Sequence, residues 1–298
     1  MELGPRFELD APAESKRQTD TGSAITATDA HDIVLGIPVT LVTLAPDADY
    51  ADREKFEVDA EALALVGSHP HVVTLHDRLM LDGDIEVLVT ERTTTAGWTA
   101  GMIVDQRTAV RTIIKLAGAA DAAHRAGQLH GAIEPAAIRW SLAGEPLLAG
   151  FALRPHSADA PVLHELSAHT APELLMGEHA TPATDVYGLG STLYELLGGR
   201  AAFRGYDGES LASLAVRVLH DAVPALQVPG LAAELTDVVE WSLAAEPGQR
   251  PPSAAWLAEE LGRVEGRLGW VRTAPQLGLK PGPARLRPNR THGRHRTS

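Results

Sequence analysis

The sequence contains no cysteine, and this absence excludes several kinds of chemistry. Without thiols the chain forms no disulfides, supplies no thiolate nucleophile and offers no thiolate ligand to a metal. The thirteen histidines lack the His-Glu-x-x-His spacing of a zinc site, so we expect no metal centre. A serine hydrolase is disfavoured because no Gly-x-Ser-x-Gly elbow is present. The lack of cysteine is compatible with a cytoplasmic location, which we expect.

Long apolar runs are also missing. Nowhere do about 18 uninterrupted apolar residues occur, and the N-terminal residues show no cationic start followed by an apolar core. The sequence therefore predicts neither a transmembrane segment nor a signal peptide, and we expect a soluble protein.

Positive charge is scarce except at the C-terminal end. The chain has 26 Lys and Arg against 39 Asp and Glu, for a formal net charge of −13. After Trp270 seven bases face no acid, so the preceding body, with 19 bases, carries about −20. Such an acidic body is not expected to bind nucleic acid. The tail, residues 270–298, is predicted to be disordered and to make at most weak, salt-sensitive contacts with acidic surfaces.

The first part of the chain has the pattern of strands around one helix. Residues Ile33–Leu44 are β-branched around a Gly-Ile-Pro interruption, which predicts a hairpin. Apolar residues at helical spacing predict a helix over Asp52–Val66. Strands are predicted again at Val72–Leu75 and Ile85–Val89, separated by a turn at Asp82-Gly83.

From Ala109 onward long helices dominate. They are predicted from Ala109 onward and over Asp185–Leu197, Glu209–Leu219, Leu231–Ala244 and Ser253–Arg267. Two short strand-like pieces, Ile138–Trp140 and Pro146–Leu148, lie between the first two of these helices. The pattern indicates an α+β protein with a small β-rich N-terminal lobe, residues 1–92, and a larger helical lobe, residues 93–269.

Four segments of this chain contain motifs that occur together in one known protein family. Residues Thr170–Phe203 are similar to the stretch from the Ala-Pro-Glu motif into the central helix of the large lobe. Residues Ala244–Leu261 contain the family's Pro-x-x-Arg-Pro turn. AHRAGQLHGAIEPAAIRW stands where that family has its catalytic loop, and SHPHVV follows the first helix as expected. By these motifs the chain resembles bacterial serine/threonine protein kinases of the actinobacterial type. The resemblance covers about Phe7 to Gly266 and implies the two-lobed kinase fold.

The resemblance assigns structural roles to three charged residues. It implies that Glu173 pairs with Arg250 in a buried ion pair, and that Asp185 accepts hydrogen bonds from the backbone of the catalytic loop. All three residue types are present at the matching positions.

The positions that hold nucleotide in the family are altered. The glycine-rich loop keeps Gly22 alone, followed by Ala24. The lysine that grips the phosphates is replaced by Val42, and Thr40 stands in place of the alanine that contacts adenine. The glutamate that pairs with that lysine falls at Asp59, which is too short and lacks the lysine. Thr90 completes this vestigial cleft.

The catalytic positions are altered as well. His-Arg-Asp becomes His130-Gly131-Ala132, so the base is replaced by a methyl group, and the metal-binding asparagine is replaced by Ala137. Asp-Phe-Gly becomes Gly150-Phe151-Ala152, which removes the main metal ligand and keeps the phenylalanine. Glu134, in place of a lysine, would repel phosphate unless a metal intervened. The loss of these groups together removes the positioning and charge neutralisation that phosphoryl transfer needs.

The activation segment lacks its switch. Only 18 residues separate Ala152 from Ala171, and no threonine stands where the family places its autophosphorylation pair. No arginine precedes Ala132 to recognise a phosphate.

The first hypothesis is therefore a pseudokinase without catalytic residues, ATP or Mg²⁺, acting as a signalling scaffold or allosteric regulator. Its expected partners are proteins, such as an active kinase or a phosphothreonine-reading protein. A second hypothesis is a degenerate kinase or ATP-binding protein with low or atypical activity, using ATP and Mg²⁺. A third is a regulatory module acting with the product of a neighbouring gene.

Overall fold

The computed structural model describes residues 6–10, 16–18 (backbone only), 25–45, 47–81, 85–94, 102–151, 167–205 and 209–278. Within these ranges the chain forms an N-terminal lobe built on an antiparallel sheet and a C-terminal lobe of helices. No helix in the described ranges combines the length and the apolar composition needed to cross a membrane.

Six strands and one long helix build the N-terminal lobe. The elements are β1 Phe7–Leu9, β2 Lys16–Gln18, β3 Ile25–Asp32, β4 Ile37–Leu44, α1 Tyr50–Val66, β5 Leu75–Leu81 and β6 Ile85–Glu91. The sheet order is β1-β3-β4-β6-β5, and β2 also pairs with β3. Every pairing is antiparallel.

Register divides the side chains of this sheet between two faces. Val39 and Leu41 of β4 are buried with Val87 and Val89 of β6 on one face. Residues paired directly across two strands share a face, and alternate residues along a strand do so too. The opposite face therefore carries the members of four register pairs, which are Ala27 and Val42, Asp29 and Thr40, Val42 and Leu88, and Thr40 and Thr90.

Helix α1 packs on this second face. Phe56 and Ala60 of α1 are buried against Leu88, with Val42 packed beside them. The helix begins where the Asp49 side chain accepts a hydrogen bond from the Asp52 amide, an N-cap that satisfies one free donor of the first turn.

The C-terminal lobe begins with a short sheet and then becomes helical. Its elements are β7 Thr93–Thr94, α2 Gln106–Arg125, β8 Ile138–Ser141, β9 Pro146–Leu148, α3 Pro172–Leu175, α4 Pro182–Gly198, α5 Leu211–His220, α6 Ala233–Ser242 and α7 Ala254–Arg267. Two 3₁₀ turns lie at Pro135–Ala137 and Pro247–Gln249. Strands β7, β8 and β9 form a separate antiparallel sheet.

Helix α4 lies at the centre of this lobe. Its residues from Thr184 to Leu197 are all buried, because α2, α6 and α7 surround it. A capping box between Thr181 and Thr184 starts the helix, and Gly199 ends it with a left-handed φ of 71°. The fold predicted from the sequence, two lobes with the helices in the second, is confirmed.

Two details of the N-terminal lobe differ from the predicted elements. The predicted hairpin started its first strand at Ile33, but residues 33–36 form the turn and the first strand is β3, Ile25–Asp32. The strand predicted at Val72–Leu75 is a single bridge from Val72 to Leu148, followed by β5. Short β-branched stretches do not distinguish a strand from its turn. The turn predicted at Asp82-Gly83 lies outside the described residues.

Residues 271–278, at the start of the segment predicted to be disordered, pack on helix α2 and on the residues that follow α1. The carbonyl of Gln276 lies 2.6 Å from His69 Nε2, and the carbonyl of Leu277 accepts a 3.1 Å bond from Arg125. A β-carbon on Gly118 of α2 would lie 1.6 Å from the Pro275 carbonyl oxygen. The glycine inside this helix thus allows the close approach of the chain. We call residues 271–278 the strap.

Candidate functional site

Polar side chains fill part of the sheet face on which helix α1 packs. Thr40 donates a 2.9 Å hydrogen bond from Oγ1 to Asp29 Oδ1, and both residues are buried. Thr90 Oγ1 donates to the Thr40 carbonyl at 3.2 Å. These groups come from adjacent strands in register, so the sheet itself holds them together.

An arginine from the connection between the lobes completes this cluster. Arg92 directly follows β6, and its guanidinium lies 3.3 Å from Asp29 Oδ2. The same nitrogen contacts Asp10, just beyond β1. Burial alone would lower the pKa of Arg92, but the hydrogen bond to Asp10 and the charges of Asp29 and Asp10 raise it. We call Asp10, Asp29, Thr40 and Arg92 the roof cluster.

The position beside the roof cluster is apolar. Val42 is half-buried and packs against Phe56, Ala60 and Leu88. It lies two residues beyond Thr40 on the same face of β4, so the apolar Val42 side chain lies beside the roof cluster.

Asp59 connects α1 to the segment that follows β9. Its Oδ1 accepts a 2.9 Å hydrogen bond from the Phe151 amide, and the Gly150 amide also donates to this carboxyl group. Burial raises the pKa of Asp59 to about 6, although both amides and the charges of Lys55 and Arg139 favour the ionised form. The carboxylate thus binds backbone of the C-terminal lobe.

The loop before the first 3₁₀ turn is organised by Asp185. Asp185 Oδ1 accepts from the Gly131 amide at 2.7 Å, and Oδ2 accepts from the His130 amide at 2.9 Å. His124 Nε2 lies 2.7 Å from Oδ2. Burial disfavours ionisation of Asp185, but the His124 hydrogen bond and the backbone donor keep its pKa below the usual value.

His130 is fully buried in this loop and is held by both ring nitrogens. Nδ1 accepts a hydrogen bond from the Ala132 amide, which leaves the proton on Nε2 to be donated to the Ala149 carbonyl. Its ring lies 4.7 Å from that of Phe151, which is also fully buried. Burial lowers the pKa of His130 and favours this neutral form.

Three small residues occupy the rest of the site. Ala132 is exposed and Ala137 is half-buried, and neither side chain has an ionisable group. Gly150 is exposed and has a φ of 77°, so a larger residue there would have to adopt a left-handed conformation. In the described part of the chain no group of three or more His, Asp or Glu side chains is placed to hold a metal ion.

Deeper in the C-terminal lobe, Glu173 and Arg250 form a bidentate ion pair. Arg250 Nη1 and Nη2 donate to Glu173 Oε1 and Oε2 at 2.8 and 2.7 Å. The guanidinium also donates to the carbonyls of Ala183, Ala244 and Ala245. Burial disfavours the ionised carboxylate, but Arg250 outweighs it and lowers the pKa of Glu173.

The amino-acid sequence of the chain is similar to those of several known protein kinases. The chain is 32% identical over 275 residues to the serine/threonine-protein kinase PknK of Mycobacterium tuberculosis, covering 87% of this chain and 24% of PknK. It is 29% identical over 256 residues to PknJ of the same species, covering 80% of this chain and 43% of PknJ. With PknA it shares 26% identity over 288 residues, covering 92% and 65%. No family model matches.

The chain belongs to the bacterial serine/threonine protein-kinase family. Membership is a statement about descent and fold, not about activity. The chain spans about a quarter of PknK and less than half of PknJ, so the similarity concerns part of those proteins.

The fold places the singled-out positions in three groups. Thr40, Val42 and Thr90 share one face of the N-terminal sheet, and Asp59 meets Gly150 and Phe151 through the backbone amides. Ala132 follows the His130 and Gly131 backbone that Asp185 binds, and Ala137 ends the first 3₁₀ turn. Gly22 and Ala24 lie outside the described residues, as does the activation segment from 152 to 166.

Sequence reasoning missed the roof cluster and the binding partner of Asp59. It treated Thr40 as a replacement for the small alanine and Asp59 as a residue without a cation to pair with, and it did not consider Asp29 or Arg92. A signal was present, since Asp29 interrupts a β-branched strand and Arg92 follows a buried one. Only the register of β3 and β4 shows that these charges share a face.

Proposed function

We propose that this kinase-like domain does not transfer phosphate and acts as a pseudokinase, a scaffold or allosteric regulator that works by binding other proteins. The observation that carries this proposal is the roof cluster. On the face where a kinase would receive adenine, the charged groups of Asp29 and Arg92 bind each other, and Thr40 binds Asp29.

The chemistry of the remaining positions supports the same proposal. Transfer from Mg·ATP needs cations or metal ions around the phosphates and a carboxylate near the acceptor hydroxyl. Val42, Ala132, Ala137 and Gly150 supply neither, and the Asp59 carboxylate is engaged by two backbone amides. These residues do not fit a magnesium–nucleotide complex, so we derive no catalytic step.

The contacts that stabilise the kinase-like fold are present although the catalytic groups are not. Asp185 still orders the loop containing His130 and Gly131, and Glu173 still binds Arg250. A domain that keeps its shape while losing its reacting groups is suited to presenting surfaces. An active kinase or a phosphothreonine-reading protein is the kind of partner that we propose.

A nucleotide titration tests the proposal. A ligand that binds only the folded state stabilises it, by about 2.7 kcal/mol at a hundredfold excess over Kd. This stabilisation raises the midpoint of thermal unfolding. We expect no shift with millimolar ATP, alone or with Mg²⁺ or Mn²⁺. A radiolabel transfer assay on the same sample, with Ala132→Asp as a comparison, should show no phosphorylation of the chain or of a generic substrate.

Two results would support the alternative, a degenerate kinase. A saturable rise of the midpoint that depends on the divalent ion would show that the cleft binds nucleotide. Phosphate transfer by the unmodified chain, at a rate that Ala132→Asp changes little, would show chemistry carried by other residues.

A further inference from the structure

A cavity of about 770 Å³ lies outside the interlobe site, between helix α2 and the strap. The residues that follow α1 and the turn between β8 and β9 close its remaining sides. Its charged lining residues are Arg107, Arg111, Lys115, Glu145, Glu265 and Arg272.

The two carboxylates in this cavity already have partners. Lys115 binds Glu145, and this hydrogen bond, together with the charges of Lys115, His71 and Arg111, lowers the pKa of Glu145. Glu265 is buried and accepts hydrogen bonds from the Thr273 amide at 2.6 Å and the Thr273 hydroxyl at 2.7 Å. Four cations facing two engaged carboxylates leave the lining with an excess of positive charge.

The three arginines keep donor groups available. Arg107 and Arg111 are exposed on α2, and Arg107 stacks with its guanidinium carbon 5.5 Å from the centre of the Trp270 ring. Stacking occupies the flat face of a guanidinium and leaves its N–H groups free to bind an anion. Arg272, exposed on the strap, lies over Gly262 of α7.

This positive lining contrasts with the rest of the protein. The chain up to Trp270 carries 39 acids and 19 bases, a net charge of about −20. A local reversal of sign on such a surface attracts an anionic partner to one place, because acidic surface elsewhere repels it.

The spacing of the cations indicates the shape of the ligand. Arg107, Arg111 and Lys115 are four residues apart along α2, so they follow one side of the helix in steps of about 6 Å. In an extended peptide, alternate side chains point the same way at intervals of about 6.6 Å. Carboxylates at every second residue of an extended segment therefore match this row of cations.

We infer that the cavity is a docking site for an extended acidic peptide segment of a partner protein, with carboxylates at alternate residues. The inference deepens the scaffold proposal and rests on it for the expectation of a protein partner. Tight packing of the strap at Gly118 fixes one wall of the cavity before binding, which reduces the entropy that docking costs.

The test uses the full chain and a fluorescein-labelled peptide of about twelve residues in which Asp alternates with Ser, long enough to span all three cations in an extended form. Fluorescence anisotropy at low salt measures its Kd. Arg111→Glu should weaken binding by roughly tenfold or more, since it removes charge-assisted hydrogen bonds and places a like charge beside the peptide carboxylates. Arg111→Gln should give a smaller loss in the same direction.

A matched control is Arg200→Glu, which makes the same charge change at an exposed site outside the cavity. It should leave Kd nearly unchanged. The inference is overturned if the labelled peptide does not bind, if Arg200→Glu and Arg111→Glu weaken it equally, or if a peptide with the same Asp residues in one block binds as tightly. Equal competition by inorganic phosphate or single-stranded DNA at matched charge would also overturn it.

Failure of this inference and failure of the proposed function are distinguishable. Nucleotide binding or phosphate transfer would contradict the pseudokinase proposal and leave the peptide result to stand by itself. Loss of peptide binding would remove this docking site while ATP still produced no thermal shift.

Discussion

The ion pair between Glu173 and Arg250 and the roof cluster show two uses of buried charge in one domain. The Glu173–Arg250 pair joins distant segments of the C-terminal lobe, and the guanidinium also binds three backbone carbonyls. The roof cluster joins β1, β3, β4 and the connection after β6, on the sheet face that also carries Val42. One set of buried charges thus holds helices together, and the other holds strands together.

The largest expected effect comes from Glu173→Ala. It strands the Arg250 guanidinium, which is 3% exposed, and should cost roughly 3–5 kcal/mol of unfolding free energy. Urea denaturation at neutral pH measures this loss. Glu178→Ala, an exposed glutamate close by, should change stability by about 0.5 kcal/mol or less. Equal, small effects of the two variants would contradict the structural role given to this pair.

The second effect concerns pH and Asp59. Its folded pKa of about 6 exceeds the ordinary aspartate value of 3.8, so the native state holds this proton to higher pH than the unfolded chain. Its contribution to stability should therefore fall as pH rises from about 4 to 6, by about 2 kcal/mol after allowance for partial exposure.

Asp59→Asn should remove this fall, because the amide does not titrate. Urea melts at a series of pH values, expressed as the difference between wild type and variant, measure it. The exposed Glu61→Gln, on the same helix, should leave that feature in place. A wild-type and an Asp59→Asn profile that run parallel between pH 4 and 6 would be incompatible with this titration.

The third effect tests the roof cluster. Arg92→Ala removes the cation beside Asp29, which is 2% exposed, and should cost about 2 kcal/mol, less than for a fully buried pair because Arg92 is partly exposed. Arg263→Ala, which breaks exposed pairs on α7, should cost about 0.5 kcal/mol or less. If thermal and urea melts rank the two variants equally, the roof cluster is not a stabilising unit.

The smallest effect is expected at Ala132, in the loop that Asp185 orders. Ala132 is exposed, so Ala132→Ser should change the unfolding free energy by about 0.5 kcal/mol or less. The same urea melts provide the measurement. A loss of unfolding free energy comparable to that of Glu173→Ala would mean that this loop contributes strongly to stability. The two regions would then not differ in the way described above.

Much of the fold was predictable from the sequence because it depends on local patterns. The helix predicted over Asp52–Val66 is α1, and the helix predicted over Ser253–Arg267 is α7, each within two residues at either end. Apolar residues at helical spacing and capping residues determine such segments over short distances. The turn of the first hairpin was less accurate, because β-branched residues continue through it.

The candidate site was predictable as a set of missing groups but not as a set of contacts. The sequence shows Val42, Ala132, Ala137 and Gly150 without reference to any partner. The binding of Asp59 to the Phe151 amide joins residues 92 positions apart, and Arg92 meets Asp10 across 82 positions. No local pattern encodes such distances.

The sequence by itself therefore determined the two-lobed α+β architecture and the absence of ionisable groups at Val42, Ala132, Ala137 and Gly150, because both depend on residue type and local periodicity. Only the tertiary structure decided how the remaining charges are used. Strand register placed Asp29 beside Thr40, and packing of α1 brought Asp59 to the Gly150 and Phe151 amides. The return of the strap over Gly118 formed the cationic cavity. Each of these follows from contacts between distant segments, whose geometry is fixed only when the whole core packs.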